Sequence, residues 1–207
     1  MTDTDSTTTA AEADASGRQL AGVPLIGVAE LDPRVRQRLQ SKIDRLGYLG
    51  TFFQLTAHQP EALAAFIDYT DATKKALPND LAEVIALTVA TATGNDYERH
   101  QHERLSVKLG LTKDWVARVE KLDPDSGELT LEQLATQRWV LAVLKDHGRD
   151  TEAEVDALVH ELGPKAAIAV ALMCGRYVAH ATIANSFGIQ PPVGVSSIFA
   201  DSTGQLA

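Results

Sequence analysis

The fold is decided by residues 80–110, which read DLAEVIALTVATATGNDYERHQHERLSVKLG. The first part, up to Gly94, is apolar on nearly every side and predicts a helix that is buried all round. Gly94 ends that helix, and Asn95 or Asp96 can cap a second, strongly charged helix that runs to Gly110. A buried helix followed directly by a charged one is therefore expected.

The rest of the chain predicts further helices on both sides of this pair. Asp32-Pro33 is a helix-start signal, and the helix that it opens has apolar residues at helical spacing and should end at Gly47. Further helices are predicted over residues 60–76, 113–122, 130–147, 151–162 and 164–187. Because no stretch shows a sustained period of two, the prediction is an all-α bundle of about eight helices.

The 207 residues fit one domain. Residues 1–20 are rich in Thr, Ala, Asp and Ser and offer almost nothing to bury, so we predict a disordered tail without a secretion signal. A single helical domain over residues 21–200 and a short tail over 201–207 are expected to follow. The apolar stretch 166–184 contains Arg176 and His180, which favours a buried or oligomer-facing helix over a membrane span.

The composition excludes several classes of function. Lys and Arg number 19 against 28 Asp and Glu, a formal charge of −9, and no basic stripe is visible. Nucleic acid is therefore not expected as a partner, because an acidic chain repels phosphate. Cys174 is the single cysteine, so neither an intrachain disulfide nor a cysteine-based zinc site can form. This suits the reducing cytoplasm, which is the expected location.

One segment, from Glu83 to His102, concentrates side chains that can transfer protons. Glu98 and His102 are four residues apart and share a helix face, where the carboxylate can orient the imidazole and raise its basicity. Glu83 lies on the buried helix, and desolvation tends to raise a carboxyl pKa. His100 and His102 point in different directions, so a metal site is not expected. The alternative interpretations are a solvated Glu–His pair and, for Glu83, a favourable position near a helix N-terminus.

The order of these residues resembles the active-site pattern of the carboxymuconolactone decarboxylase and alkylhydroperoxidase superfamily. In the peroxidase branch, a Glu is followed after eleven residues by Cys-x-x-Cys and, after three more, by His. Glu83 and His102 fall on that glutamate and histidine, whereas Asn95 and Glu98 stand where the two cysteines would be. In the decarboxylase branch the cysteine pair is absent and Glu-x-x-x-His on one helix is typical, which Glu98 and His102 match.

The resemblance covers roughly residues 30–190 and implies the all-helical alkylhydroperoxidase-like fold, usually assembled as a homo-oligomer such as a trimer or hexamer. It implies a cofactor-free acid–base enzyme that decarboxylates, opens a lactone or isomerises a small, anionic organic substrate. His102 would be the general acid/base, oriented by Glu98, with Glu83 as a second proton-transfer group. The candidate substrate-binding residues are Asn95, Tyr97 and Arg99, and Arg176 could also hold a substrate carboxylate.

Two alternatives stay open from the sequence. A non-catalytic, ligand-binding or scaffold oligomer of the same fold would fit if the charged run YERHQHER is a solvated face. A thiol peroxidase needs an attacking and a resolving cysteine, which Asn95 and Glu98 cannot supply. That second alternative survives only if Cys174 reaches the site.

Overall fold

A computed structural model of the protein describes residues 18–192 and 194–200. Two two-residue strands, β1 (Gln19–Leu20) and β2 (Val23–Pro24), pair antiparallel. Within the described ranges the chain then forms eight α-helices: α1 Pro33–Leu46, α2 Thr51–Thr56, α3 Pro60–Lys75, α4 Asn79–Ala92, α5 Asp96–Lys108, α6 Lys113–Glu120, α7 Leu131–Asp146 and α8 Glu152–Ser186. The all-α prediction is confirmed.

The ends of the chain were predicted as tails. Residues 1–17 and 201–207 lie outside the described part of the structure, so those predictions are not tested. Residues 19 and 20 form β1, where the prediction placed tail, because their backbone pairs with residues 23 and 24 across a tight turn.

The chain divides into two compact units. The first contains the described residues up to Asp68 together with Phe187–Ile189, and the second contains Tyr69–Ser186 and the described residues from Gln190 onward. The single domain predicted over residues 21–200 stays a prediction.

In the first unit, α1 begins as predicted. The Asp32 carboxylate accepts a hydrogen bond from the backbone N–H of Arg34 at 2.9 Å, and Pro33 is the first helical residue. The apolar stripe of α1 packs against the side chains of Leu63 and Ile67 on α3. The six-residue α2 was not predicted.

In the second unit, α4 is the central helix, and α5, α6, α7 and α8 all pack against it. Every residue from 81 to 90 is buried, which confirms the prediction of a helix covered on all sides. The α8 helix breaks at Gly163, whose φ of 74° and ψ of 163° are not helical, just before Pro164. This break matches the two helices predicted for residues 151–162 and 164–187.

Among the described residues, one helix is long and apolar enough to cross a membrane by length and composition, namely α8. The most apolar 18-residue stretch of α8 has a mean hydropathy of 1.5, and half of that stretch is buried inside the protein. Core helices of globular proteins have the same properties, and Arg176 and His180 on α8 are both buried in ion pairs. The absence of a membrane partner stays a prediction.

Candidate active site

The end of α4 and the start of α5 bring the acid–base side chains together. Gly94 has a φ of 64°, a left-handed conformation that costs glycine little and lets the chain reverse direction. The side-chain oxygen of Asn95 then accepts a hydrogen bond from the backbone N–H of Glu98 at 3.3 Å and caps α5. Because α5 runs back along α4, His102 lies opposite Glu83.

The imidazole of His102 lies between two carboxylates. Its Nδ1 is 2.7 Å from Oε2 of Glu83, and its Nε2 is 2.9 Å from Oε2 of Glu98. The other oxygen of Glu98, Oε1, is 2.7 Å from Nε2 of His180 on α8. Glu83, Glu98 and His102 are only 2%, 8% and 6% exposed. These four side chains form a continuous buried chain, called the relay below: Glu83, His102, Glu98 and His180.

Contacts within the relay and burial shift the pKa values of its side chains and so set their protonation states. Burial alone would lower the pKa of His102, but Glu83 and Glu98 outweigh it and raise this pKa to about 9. Burial alone would raise the pKa of Glu98, but His180, Arg176 and His102 hold it well below its usual range. At neutral pH, therefore, His102 is an imidazolium that donates from both nitrogens, and Glu98 is an ionised carboxylate that accepts on both oxygens.

His180 is in the opposite state from His102. Burial lowers its pKa, and the positive charges of Arg176 and His102 oppose the raising effect of Glu98. The Asn95 amide nitrogen is 3.5 Å from Nδ1 of His180, which leaves Nε2–H to donate to Glu98. The ring of Tyr97 stacks on that of His180, with centroids 5.9 Å apart. A neutral His180 in one tautomer is therefore held firmly against Glu98.

Further polar side chains support the relay from α5 and α8. The hydroxyl of Ser106 donates to Oε2 of Glu83 at 3.2 Å, and the hydroxyl of Tyr177 is 3.3 Å from Nε2 of His102. The Arg176 guanidinium lies 4.3 Å from the centre of the Tyr177 ring, with NH1 3.8 Å from Oε1 of Glu98. The buried site therefore contains a cation beside its ion pairs.

The structure brings the three predicted catalytic residues, Glu83, Glu98 and His102, into direct contact. The alternative of a solvated Glu–His pair is wrong, because Glu98 and His102 are both buried. No set of three His, Cys, Asp or Glu side chains among residues 18–192 and 194–200 is placed to hold a metal ion. The expectations that no metal and no cofactor take part stay predictions.

The predicted substrate-binding residues occupy two different places. Asn95 and Tyr97 contact His180, so they border the relay. Arg99 pairs instead with Asp96, with its NH2 2.7 Å from Oδ1. The cation that contacts the relay is Arg176. The substrate-binding roles of Asn95, Tyr97 and Arg99 stay predictions.

Sequence reasoning did not place His180, Tyr177 or Ser106 at the site. A signal for His180 was present, since Arg176 and His180 interrupt an otherwise apolar helix and are four residues apart, which puts them on one face. Two polar residues on one face of a buried helix must find polar partners. The identity of those partners was not readable from the sequence.

Cys174 lies in the apolar core of the second unit and is 1% exposed. Burial raises the pKa of its thiol to about 12. Because the thiolate is the reactive form, this cysteine is a poor nucleophile.

We expect Cys174 in the folded protein to react with an alkylating reagent at least ~10²-fold more slowly than in the unfolded chain. Mass spectrometry with and without denaturant measures this ratio. Cys174→Ala should leave any peroxide turnover unchanged. If the substitution removed such turnover, the thiol peroxidase alternative would be restored.

Comparisons with known proteins show which family and which fold the chain resembles. The sequence model of the Carboxymuconolactone decarboxylase family matches residues 60–123. The structure is similar to the alkylhydroperoxidase AhpD core of an uncharacterized peroxidase-related protein from Ralstonia eutropha JMP134, at 25% identity over 86% of this chain and 95% of that one, with a TM-score of 0.70. Among curated proteins, no sequence matches the chain.

Two further solved structures have lower sequence identity to this chain, and their similarity to it is in the fold only. The protein of unknown function ATU0492 from Agrobacterium tumefaciens is 18% identical over 66% of this chain and 94% of that one, with a TM-score of 0.59. The debrominase Bmp8 in its apo form is also 18% identical, over 77% of this chain and 87% of that one, with a TM-score of 0.65. The alkylhydroperoxidase-like fold is confirmed.

Proposed function

Because the chain belongs to the carboxymuconolactone decarboxylase and AhpD-like superfamily, we propose that it is an acid–base enzyme that decarboxylates a small, anionic organic substrate. The observation that carries this proposal is the buried His102 imidazole held between two carboxylates. Both cysteine positions of the peroxidase pattern hold other residues, Asn95 and Glu98, so the segment supplies protons rather than thiols.

The protonation state of the relay favours a reaction that consumes a proton. When a carboxylate that is vinylogous to a carbonyl or lactone loses CO2, the bond between the carboxyl group and its carbon breaks, and the electron pair of that bond spreads into the conjugated system as a dienolate. His102, with a pKa of about 9, is protonated at neutral pH and can transfer its proton to the carbon that lost CO2. The neutral imidazole then regains a proton from solvent, so the cycle balances.

The same protonation state disfavours reactions that begin with proton abstraction. A protonated His102 has no nitrogen lone pair that could take a proton, and both oxygens of Glu98 already accept hydrogen bonds. A base-initiated isomerisation or lactone opening would first require His102 to lose its proton against the field of Glu83 and Glu98. Decarboxylation followed by protonation is therefore the preferred member of the acid–base class.

A non-catalytic scaffold is the second candidate from the sequence. A scaffold does not require ionised side chains in its interior. Desolvation there destabilises the folded state by roughly several kcal/mol for each buried charge. The burial of Glu83, Glu98 and His102 supports an enzyme instead. Family resemblance further supports a homo-oligomer, a trimer or hexamer, that acts on a small molecule. The single cysteine supports the reducing cytoplasm as its location.

We expect His102→Gln and Glu83→Gln each to lower turnover by ~10²-fold or more, because each removes a group of the proton path. The assay follows CO2 release from a panel of small unsaturated and β-keto carboxylates. In D2O, the product of the wild-type enzyme should carry one deuterium at the carbon that lost CO2.

His100→Gln is the matched control, since His100 lies on the same helix and is only partly buried. It should keep turnover within about twofold of the wild type, because the ion pairs of the relay do not include His100. Near-full activity of both His102→Gln and Glu83→Gln would overturn the assignment of these residues.

A further inference from the structure

The Glu98 carboxylate bridges two buried imidazoles. Its Oε2 is 2.9 Å from Nε2 of His102, and its Oε1 is 2.7 Å from Nε2 of His180. The second nitrogen of each ring meets a different group. Nδ1 of His102 is 2.7 Å from a carboxylate oxygen of Glu83, whereas Nδ1 of His180 is 3.5 Å from the amide nitrogen of Asn95. The two rings therefore differ in what faces Nδ1.

The orientation of the Asn95 amide is fixed by the start of α5. Its Oδ1 accepts a hydrogen bond from the backbone N–H of Glu98 at 3.3 Å, as the cap of the helix. Because an amide oxygen accepts and an amide nitrogen donates, commitment of Oδ1 to the cap leaves the NH2 group to point at His180. Asn95 is only 2% exposed, so both contacts are made away from bulk water.

The NH2 group of Asn95 opposes a second proton on His180. A neutral imidazole has one N–H and one lone pair, whereas an imidazolium has an N–H on both nitrogens. Since Nε2 donates to Glu98, a second proton would place an N–H on Nδ1 opposite the donors of Asn95. The ring of Tyr97 stacks on the imidazole with centroids 5.9 Å apart, so the imidazole is not free to turn away. At 3.5 Å the contact with Asn95 adds little attraction, and its effect is to offer Nδ1 no acceptor.

The two imidazoles are alike in their other main influences. Burial, the largest effect, lowers the pKa of both His102 and His180, and Glu98 raises the pKa of both. At Nδ1, His102 meets the charge of Glu83, which raises its pKa further, and His180 meets an uncharged amide. The positive charges of Arg176 and His102 also oppose protonation of His180.

We propose that Asn95 is a positioning residue that keeps His180 neutral and so leaves His102 as the one protonated imidazole on Glu98. If both rings were protonated, two imidazolium ions would share one carboxylate, and their repulsion would weaken the hold of His102 on its proton. Asn95 acts through His180 and Glu98 and needs no contact with the substrate for this role. The inference rests on the proposed function only in taking the proton of His102 as the one that is transferred.

The test exchanges the amide for a carboxylate. Asn95→Asp keeps an oxygen that caps α5, since Asp and Asn are about equally good caps, but it places an acceptor opposite Nδ1 of His180. His180 would then lie between two carboxylates, as His102 does in the wild type. We expect the pKa of His180 to rise by about 1–3 pH units, the usual effect of an opposite charge in contact. NMR titration measures this rise, because 15N chemical shifts distinguish protonated from unprotonated ring nitrogens.

The wild type and a matched variant provide the reference. Wild-type His180 should carry one proton at pH 7, on Nε2, and its signals are identified by their absence in His180→Gln. Asn79→Asp makes the same substitution at the exposed first residue of α4 and should leave the titration of His180 unchanged. Asn95→Ser also keeps a capping oxygen but removes the NH2 group, so it should raise the pKa of His180 by a smaller amount. Circular dichroism checks that each variant is folded, and Asn95→Ser decides the test if Asn95→Asp does not fold.

Two results would overturn the role of Asn95. One is a wild-type His180 that is protonated on both nitrogens at pH 7, and the other is a pKa of His180 that is no higher in the folded Asn95 variants than in the wild type. Both are measured without turnover, so they do not depend on the proposed reaction. If His180 titrates as expected while His102→Gln keeps full turnover, the proposed reaction fails and the positioning role of Asn95 is supported.

Discussion

Replacement of Glu98 by alanine is expected to lower the free energy of unfolding by about 3–5 kcal/mol, because it removes one partner of a buried ion network. The Glu98 carboxylate contacts Nε2 of His102 at 2.9 Å and Nε2 of His180 at 2.7 Å, and it lies near Arg176. Without it, the charge of Arg176 and one side of the His102 imidazolium lose their buried counter-ion. Urea unfolding followed by circular dichroism at pH 7 measures the difference.

Asp96→Ala is the control for this substitution. Asp96 is in the first turn of the same helix and forms an ion pair with Arg99, but its side chain is 54% exposed. Surface pairs of this kind contribute less than about 1 kcal/mol, so the control should remain close to the wild type. A similarly small loss in Glu98→Ala would mean that the relay is not formed in solution.

The helices could be predicted wherever their signals are local. Asp32-Pro33 at the start of α1 and Gly94 between α4 and α5 are recognisable because they act within one or two residues of their own position. The six residues of α2 are too few to show a period or to be stable alone. This helix is held by tertiary packing, since Phe52 and Leu55 are both buried, and such packing is not visible in the sequence around it.

The site could be predicted in part for the same reason. The spacing of Glu98 and His102 on one helix is local, and Glu83 was recognisable as a carboxylate on an apolar helix. The resemblance joined the three residues in one pattern. The residues from α8 could not be assigned, because Tyr177 is 75 positions from His102 and only the folded chain joins them. The substrate-binding role of Arg99 stays a prediction, although its side chain is not aligned with that of Glu98. Adjacent residues point about 100° apart, so Arg99 does not share the face of Glu98.

The chemistry of His102 also depends on information that the sequence lacks. A single carboxylate at i−4 predicts an imidazole with raised basicity, which suits a general base. The structure adds a second carboxylate on the other ring nitrogen, from a different helix. Two carboxylates keep the ring protonated at neutral pH, so the same residue becomes a proton donor.

The raised pKa of His102 makes stability depend on pH, and we expect the free energy of unfolding to fall by on the order of 3 kcal/mol from pH 6.5 to about pH 9.5. The pKa is 6.5 in the unfolded chain and about 9 in the folded protein. Between these values the folded state holds a proton that the unfolded state has released, so stability decreases as pH rises. The contribution is complete below pH 6.5 and is lost as pH passes through 9.

The other members of the relay limit stability on the acid side. Glu98 has a folded-state pKa below its ordinary 4.5, so its contribution is present above pH 4.5 and is lost in stronger acid. His180 has a lowered pKa, so the unfolded state binds a proton more readily below pH 6.5 and stability falls there too. The relay should therefore give its greatest stabilisation near pH 6.5.

The slope above pH 6.5 can be assigned to His102 by comparing two variants across the same pH series. His102→Gln has no proton to release in this range and should lose the downward slope of about 1.4 kcal/mol per pH unit. His100→Gln retains His102 and should keep that slope. Titrations of surface groups are shared by both variants and cancel in the difference. Parallel slopes for the two variants would mean that the His102 proton is not held between Glu83 and Glu98, and the role of His102 as proton donor would fail with it.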